Sequence, residues 1–219
     1  MFTGFSDATI DFLWELRFHN ERPWFLEHKQ VFLDTPMKAL AADVTAALEQ
    51  AYPQRKWYLH VARIYRDARR LHGNGPYKEN LWFTLRCDSS RGPEIPAFYF
   101  EITPHNYSYG MGCYWAKANT MACFRRAIDA DPLPLTELAE HLNAQSTFVL
   151  AGQDYVRPKG NPGALLSPWY NKRVLDLSCV RAHDDLLFSP ALTDELVRGF
   201  GFLLPYYDYL EAVTRREDA

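Results

Sequence analysis

Apolar positions recur at helical spacing through the first quarter of the chain and then switch to alternation. Ile10, Leu13 and Trp14 follow Ser6 and Asp7, either of which suits a helix N-cap, so a first helix is expected to end near His19-Asn20. Asn20 is the expected cap of a second helix, with Pro23 in its first turn and Trp24, Phe25, His28 and Phe32 behind it. After Pro36, the spacing of Leu40, Val44, Ala47, Leu48 and Ala51 predicts a third, and Pro53 ends it.

From Trp57 the period drops to two. The runs 57–66, 80–87, 95–103 and 107–115 are rich in aromatic and β-branched residues, with polar turns between them. Short connections favour an antiparallel meander, since parallel pairs need longer crossovers. Ala62, Ile64, Leu81, Phe83, Leu85, Phe98, Phe100 and Ile102 fall on one face, which reads as core. The other face collects Arg63, Tyr65, Trp82, Thr84, Arg86, Tyr99 and Glu101. Tyr107, Tyr109, Met111 and Trp115 join it if the large residues of the last run point that way. Such a face is either a ligand surface or a second core layer under later helices. Gly110 and Gly112 mark a bulge or a close backbone approach.

Further on, Asn119 is placed to cap a helix through Ile128, and Pro132 and Pro134 are expected to break it. A shorter helix is read over 136–143, then an extended start at Phe148, a Pro/Gly-rich loop and a strand over 173–180. Ser189-Pro190 opens a last helix carrying Leu196, Val197, Phe200, Leu203 and Leu204, with a kink expected at Pro205. The predicted class is α+β: a single domain over 1–219, roughly 3–212, with a mostly antiparallel sheet covered by N-terminal and C-terminal helices.

Composition narrows the function classes. Of 219 residues, 47% are hydrophobic and 23% charged, which suits a folded core. A net charge of −3 argues against long nucleic acid as partner. Cys87, Cys113, Cys123 and Cys179 are widely spaced without a CxxC pair, so neither structural zinc nor a disulfide framework is expected. The N-terminus carries Asp7, Asp11 and Glu15 and lacks a basic signal-peptide start. No apolar run approaches the roughly 20 residues of a membrane span. These features predict a soluble, cytoplasmic protein.

Charge then singles out one stretch. Between 63 and 78, Arg63, Arg66, Arg69, Arg70 and Lys78 stand against Asp67 alone, five minus one or +4 in an acidic chain. Arg forks and a Lys point charge suit a carboxylate or phosphate, and Gly73 and Gly75 allow backbone N–H groups close to it. The candidate ligand set is Arg63, Arg66, Arg69, Lys78 and Lys159, with Tyr77 and Tyr99 fixing orientation. The competing reading makes Arg66–Asp67 and Arg63–Glu101 structural ion pairs with the other cations in solvent. GNGPYK is not a P-loop.

Asp67 and Glu101 are the candidate acid and base, or Mg²⁺ holders, although arginine neighbours suit them better to charge pairing. His60 and His105 are further candidate bases, and Ser108 lacks a nucleophile elbow. His183-Asp184-Asp185 reads as an exposed turn rather than a metal site. Trp82, Tyr99 and Tyr109 beside arginines suit stacking on a nucleotide-sized ligand.

Three stretches together resemble a known family, the bacterial and fungal conserved hypothetical proteins defined by the domain of unknown function DUF2461. They are HNERPWFLEHKQVF at 19–32, RIYRDARRLHGNGPYKEN from Arg63, and PAFYFEIT through YSYGMGCYW followed by RPKGNPG at Arg157. Arg70-Leu71 and Asn161 depart from the family pattern. The resemblance implies an α+β single-domain cytoplasmic protein and supplies no catalytic residues, cofactor or metal. The combined expectation is binding of a small anionic ligand. The alternatives are a hydrolase or transferase acting on a phosphate-bearing substrate, and a structural or protein-interaction module.

Overall fold

The computed structural model describes residues 1–67, 69, 71, 73–87, 95–114 and 116–215, the last two by main chain alone. Arg70, His72 and Trp115 lie outside the described residues. In chain order the elements are α1 (Asp7–Phe18), α2 (Arg22–Leu33), α3 (Met37–Ala51), β1 (Tyr58–Val61), β2 (Leu81–Arg86), β3 (Ala97–Ile102) and β4 (Tyr107–Cys113). They continue with α4 (Ala118–Ala130), α5 (Leu133–Asn143), β5 (Val149–Ala151), α6 (Ser167–Tyr170), β6 (Leu175–Arg181) and α7 (Leu192–Arg215). Among the described residues the strands form one antiparallel sheet in the order β1-β2-β3-β4-β6-β5. The α+β class and its N- and C-terminal helices are as the periodicity predicts.

Two compact units divide the chain. The first comprises Met1–Cys87, Tyr99–Ser108 and Val180–Val197. Within it α1 buries Phe12, Leu13 and Leu16, and α3 buries Leu40, Ala41, Val44 and Leu48. Their apolar stripes cover the predicted core face, where Phe83 and Phe100 are 0% exposed and Phe5 stacks on Phe100 with ring centroids 5.9 Å apart. The second unit comprises Asp88–Phe98, Tyr109–Cys179 and Arg198–Ala219. There Phe98 lies between Phe200 (5.2 Å) and Tyr207 (5.0 Å) of α7. Burying such rings stabilises by roughly 1.5–3 kcal/mol each.

Several expectations need correction. Tyr107, Tyr109 and Met111 do not join the polar face; all are 0% exposed, and Tyr107 meets Phe100 at 6.1 Å on the core side. Period two therefore leaves Ser108, Gly110 and Gly112 opposite. The two glycines mark a close approach: a Cβ at 110 would stand 2.1 Å from the Leu177 carbonyl oxygen, and one at 112 would stand 2.5 Å from that of Leu175. α4 ends at Ala130, ahead of Pro132 and Pro134 as expected, but α5 then opens at Leu133 rather than Thr136, because a helix's first turn has no use for the prolines' missing N–H groups. β1 is four residues long, not ten.

Candidate functional site

The Arg63–Lys78 stretch forms a second, shorter ladder beyond β1 and β2. Ala62 N–H donates to the Trp82 carbonyl (3.0 Å), Lys78 N–H to Ile64 (2.7 Å) and Arg66 N–H to Pro76 (2.8 Å). The register slips on the way. Val61 faces Phe83 and Tyr65 faces Tyr77. Thus one arm advances four residues (61 to 65) while the other advances six (83 to 77). The two extra residues bulge the second arm around Glu79 and Asn80, which turns their side chains out of simple alternation.

Asn20 pins this arm from the α1–α2 junction. Its amide donates to the Tyr77 carbonyl (3.0 Å) and accepts from the Tyr77 N–H (2.9 Å), as a neighbouring strand would. That employment is why Asn20 does not cap α2, whose N-cap is Glu21. Gly75 lets Asn20 in, since a Cβ there would lie 2.3 Å from the Asn20 amide carbon. Tyr77 is 3% exposed and stacks on Phe25 at 4.1 Å. Its ring anchors the arm in the core.

Lys78, next along, points the other way. Its ammonium donates to the Arg63 carbonyl (2.7 Å) and stands 5.3 Å from the centre of the Trp82 ring, a cation–π contact. It has no carboxylate partner among the described residues, and neither has the exposed Arg63 side chain. Burial, then the charges of Arg66 and Arg63, pull the Lys78 ammonium below the ordinary lysine value. His60, paired with Thr84 across the strands, meets Trp82 at 5.7 Å. Burial and then Arg86, Lys78 and Arg63 pull its imidazole below the ordinary histidine value. Lys78, Trp82 and His60 therefore share a half-open face with a positive field.

The remaining predicted residues are placed as follows. Arg66 donates from Nε to the Tyr77 carbonyl (2.7 Å) and from Nη2 to Glu79 (3.4 Å), not to Asp67. Arg17 also approaches Glu79, at 3.8 Å. Asp67 instead takes both Nε (3.1 Å) and Nη2 (2.9 Å) of Arg69, and this hydrogen bonding raises the Arg69 pKa. Glu101 accepts from the Asn80 amide rather than pairing with Arg63. Tyr99 is half-buried on β3 beside it. Lys159 belongs to the second unit, where its ammonium lies 4.6 Å from the Tyr155 ring centre. The structure thus brings Arg63, Arg66 and Lys78 into one neighbourhood, joins Arg69 to Asp67, and turns Tyr77 inward.

His105 Nε2 accepts from Arg17 Nη1 at 2.5 Å, and its ring packs edge-on against Trp14 at 4.6 Å. Asp184 receives the Tyr107 hydroxyl (2.9 Å) and two Arg181 nitrogens (2.9 and 2.6 Å), while His183 bonds the Thr103 carbonyl (3.1 Å). Burial alone would raise the Asp184 carboxyl, but Arg181 and Tyr107 hold it below the usual range. This turn is a structural staple. In the second unit a cleft of about 320 Å³ opens between Leu142, Phe148, Leu150, Leu165, Pro168 and Trp169. Its lining comes from two stretches, 142–150 and 164–169, joined by a loop that periodicity does not read.

The family's sequence profile matches residues 8–209, nearly the whole chain. The chain belongs to the DUF2461 family of conserved hypothetical proteins. No curated protein matches its sequence. DUF2461 membership fixes no chemistry, so the functional reading rests on the site geometry. Among the described residues no helix is long and apolar enough to cross a membrane.

Proposed function

We propose that the face holding Lys78, Arg63, Trp82 and His60 binds a small anionic ligand, a phosphate- or carboxylate-bearing metabolite. One observation carries the reading: the Lys78 ammonium is partly buried on an indole ring and a carbonyl, among cations, with no carboxylate among the described residues to balance it. Native proteins pair partly buried charges, and an anion supplies the missing partner. Arg63 offers a planar fork beside it, while Arg66, already engaged with Glu79, sets the field and the shape of the arm. Trp82 and Tyr99 supply flat apolar surface for a sugar or base next to the charged group. The four cysteines are thiols, which supports a reducing, cytoplasmic setting.

The test is a thermal-shift series with inorganic phosphate, nucleotides, sugar phosphates and dicarboxylates at constant ionic strength. A binding anion raises the melting temperature of the native protein, by mass action on the folded state alone. Lys78→Met should abolish that rise and leave the anion-free melting temperature equal or higher, because it removes a repelled, half-desolvated charge. An anion response unchanged in Lys78→Met defeats the reading. Turnover of a phosphate ester that needs Mg²⁺ would turn the same site into a hydrolase or transferase, with Asp67 or Glu101 as first suspects.

A further inference from the structure

A second cluster of cations, in the other compact unit, is built on the Tyr155 ring. The Arg125 guanidinium carbon of α4 lies 5.3 Å from that ring's centre and the Lys159 ammonium 4.6 Å from it. Arg125 Nη1 is buried and has no hydrogen-bond acceptor. By spacing, the natural partner is Asp129, one turn further along α4. That carboxylate instead receives the Tyr170 hydroxyl at 3.0 Å, and no ion pair with Arg125 forms. A buried guanidinium N–H without an acceptor is rare in a native protein.

The scaffold around it is rigidly tied. Asn171 accepts from the Lys159 N–H (2.5 Å) and the Gly160 N–H (3.3 Å), and donates to the carbonyls of Gly160 (3.0 Å) and Ser167 (2.9 Å). The Asn171 carbonyl also takes the Tyr155 N–H at 2.9 Å. One side chain and its own backbone thus fix both the ring and the lysine that stands over it. Gly160 permits this, because a Cβ there would lie 2.6 Å from the Tyr170 ring. Lys159 has no carboxylate partner among the described residues.

We propose that Arg125 and Lys159, set around Tyr155, form a second anion site that takes a small oxyanion, phosphate or carboxylate. An arginine packed on an aromatic face keeps its N–H edge for a planar, two-oxygen acceptor. The exposed lysine adds a movable point charge on the solvent side. This site stands on its own residues and does not depend on the Lys78 face.

The experiment uses the full chain with ¹³C-labelled tyrosine, the Tyr155 ring resonance being assigned with Tyr155→Phe. Inorganic phosphate and malonate are titrated separately, with sodium chloride of equal ionic strength as the control. The expected result is a saturable shift of the Tyr155 ring signal by phosphate, malonate or both, absent with chloride. The two arms say which oxyanion chemistry the site takes. The shift should persist in Lys78→Met, vanish in Arg125→Gln and need about tenfold more anion in Lys159→Gln. If Arg125→Gln loses its dispersed spectrum, Arg125→Lys replaces it and should bind at least tenfold more weakly for want of the fork. No saturable shift with either probe, or an equal shift in the arginine variants, overturns the proposal.

Discussion

At the scale of single residues, anion binding at the proposed Lys78 face would be tied to protons. The His60 imidazole is held below the ordinary histidine value of 6.5 by burial and by Arg86, Lys78 and Arg63. In the window between its folded value and 6.5, the unfolded chain carries more protons at this position than the folded one. Stability therefore rises with pH through that window and falls on acidification. His60→Gln should make the loss of melting temperature from about pH 7 to about pH 5 shallower than in the unmodified protein. A bound anion reverses the local field, so calorimetric titration in two buffers of different ionisation enthalpy should reveal proton uptake on binding. The charge count over 63–78 made this region legible in the sequence. Which carboxylate goes to which arginine was not, because Glu79, not Asp67, reaches Arg66 only after the register slips.

At the scale of elements, the Asn20 amide ties the arm that carries Lys78 to the α1–α2 junction, beside the ladder bonds to Ile64 and Arg66. Asn20→Ala deletes both of its bonds to the Tyr77 backbone and leaves the Tyr77 N–H without an acceptor while the carbonyl keeps Arg66 Nε, so chemical denaturation should register a loss of about 1–3 kcal/mol. Gly110→Ala should cost a similar roughly 1–3 kcal/mol or more, since its Cβ would meet the Leu177 carbonyl, a backbone atom that cannot rotate away. Phe98→Ala, at a fully buried ring between Phe200 and Tyr207, should cost about 3–5 kcal/mol in the same measurement. Helices and strands were readable here because each buries one stripe or one face, and the spacing of apolar residues records which. The direction of Tyr107, Tyr109 and Met111 was not readable, since β4 is large and apolar on one side and nearly side-chain-free on the other. Only its neighbours decide which side the core lies on. α6 escaped notice for a different reason: four residues give periodicity nothing to repeat.

At the scale of the whole molecule, neither compact unit is a continuous stretch of chain. The first draws on three segments, and its Phe100, from the second of them, stacks on Phe5 and Phe83. A fragment ending at Cys87 keeps α1, α2, α3, β1 and β2 but loses that ring. It should show helical circular dichroism without a cooperative thermal transition. The cleft beside Leu142 and Trp169 is more local, since both of its lining stretches lie within 142–169. The Tyr155 cluster spans more of the chain, its arginine and lysine being separated by the whole of α5 and β5.

The inward turn of Tyr77 and the outward turn of Lys78 have a consequence for how this chain tolerates change. From Leu81 to Arg86, burial alternates strictly, and the same division separates Tyr77 from Lys78 across the two inserted residues. Neighbouring codons in this stretch therefore answer to different selective pressures. In a library screened only for soluble expression, Tyr77, Leu81, Phe83 and Leu85 should resist replacement while Lys78, Trp82 and Arg86 drift. Screened in a cell that needs the ligand, the second set should freeze as well. The difference between the two screens, position by position, would draw the outline of the proposed binding face without any ligand in hand.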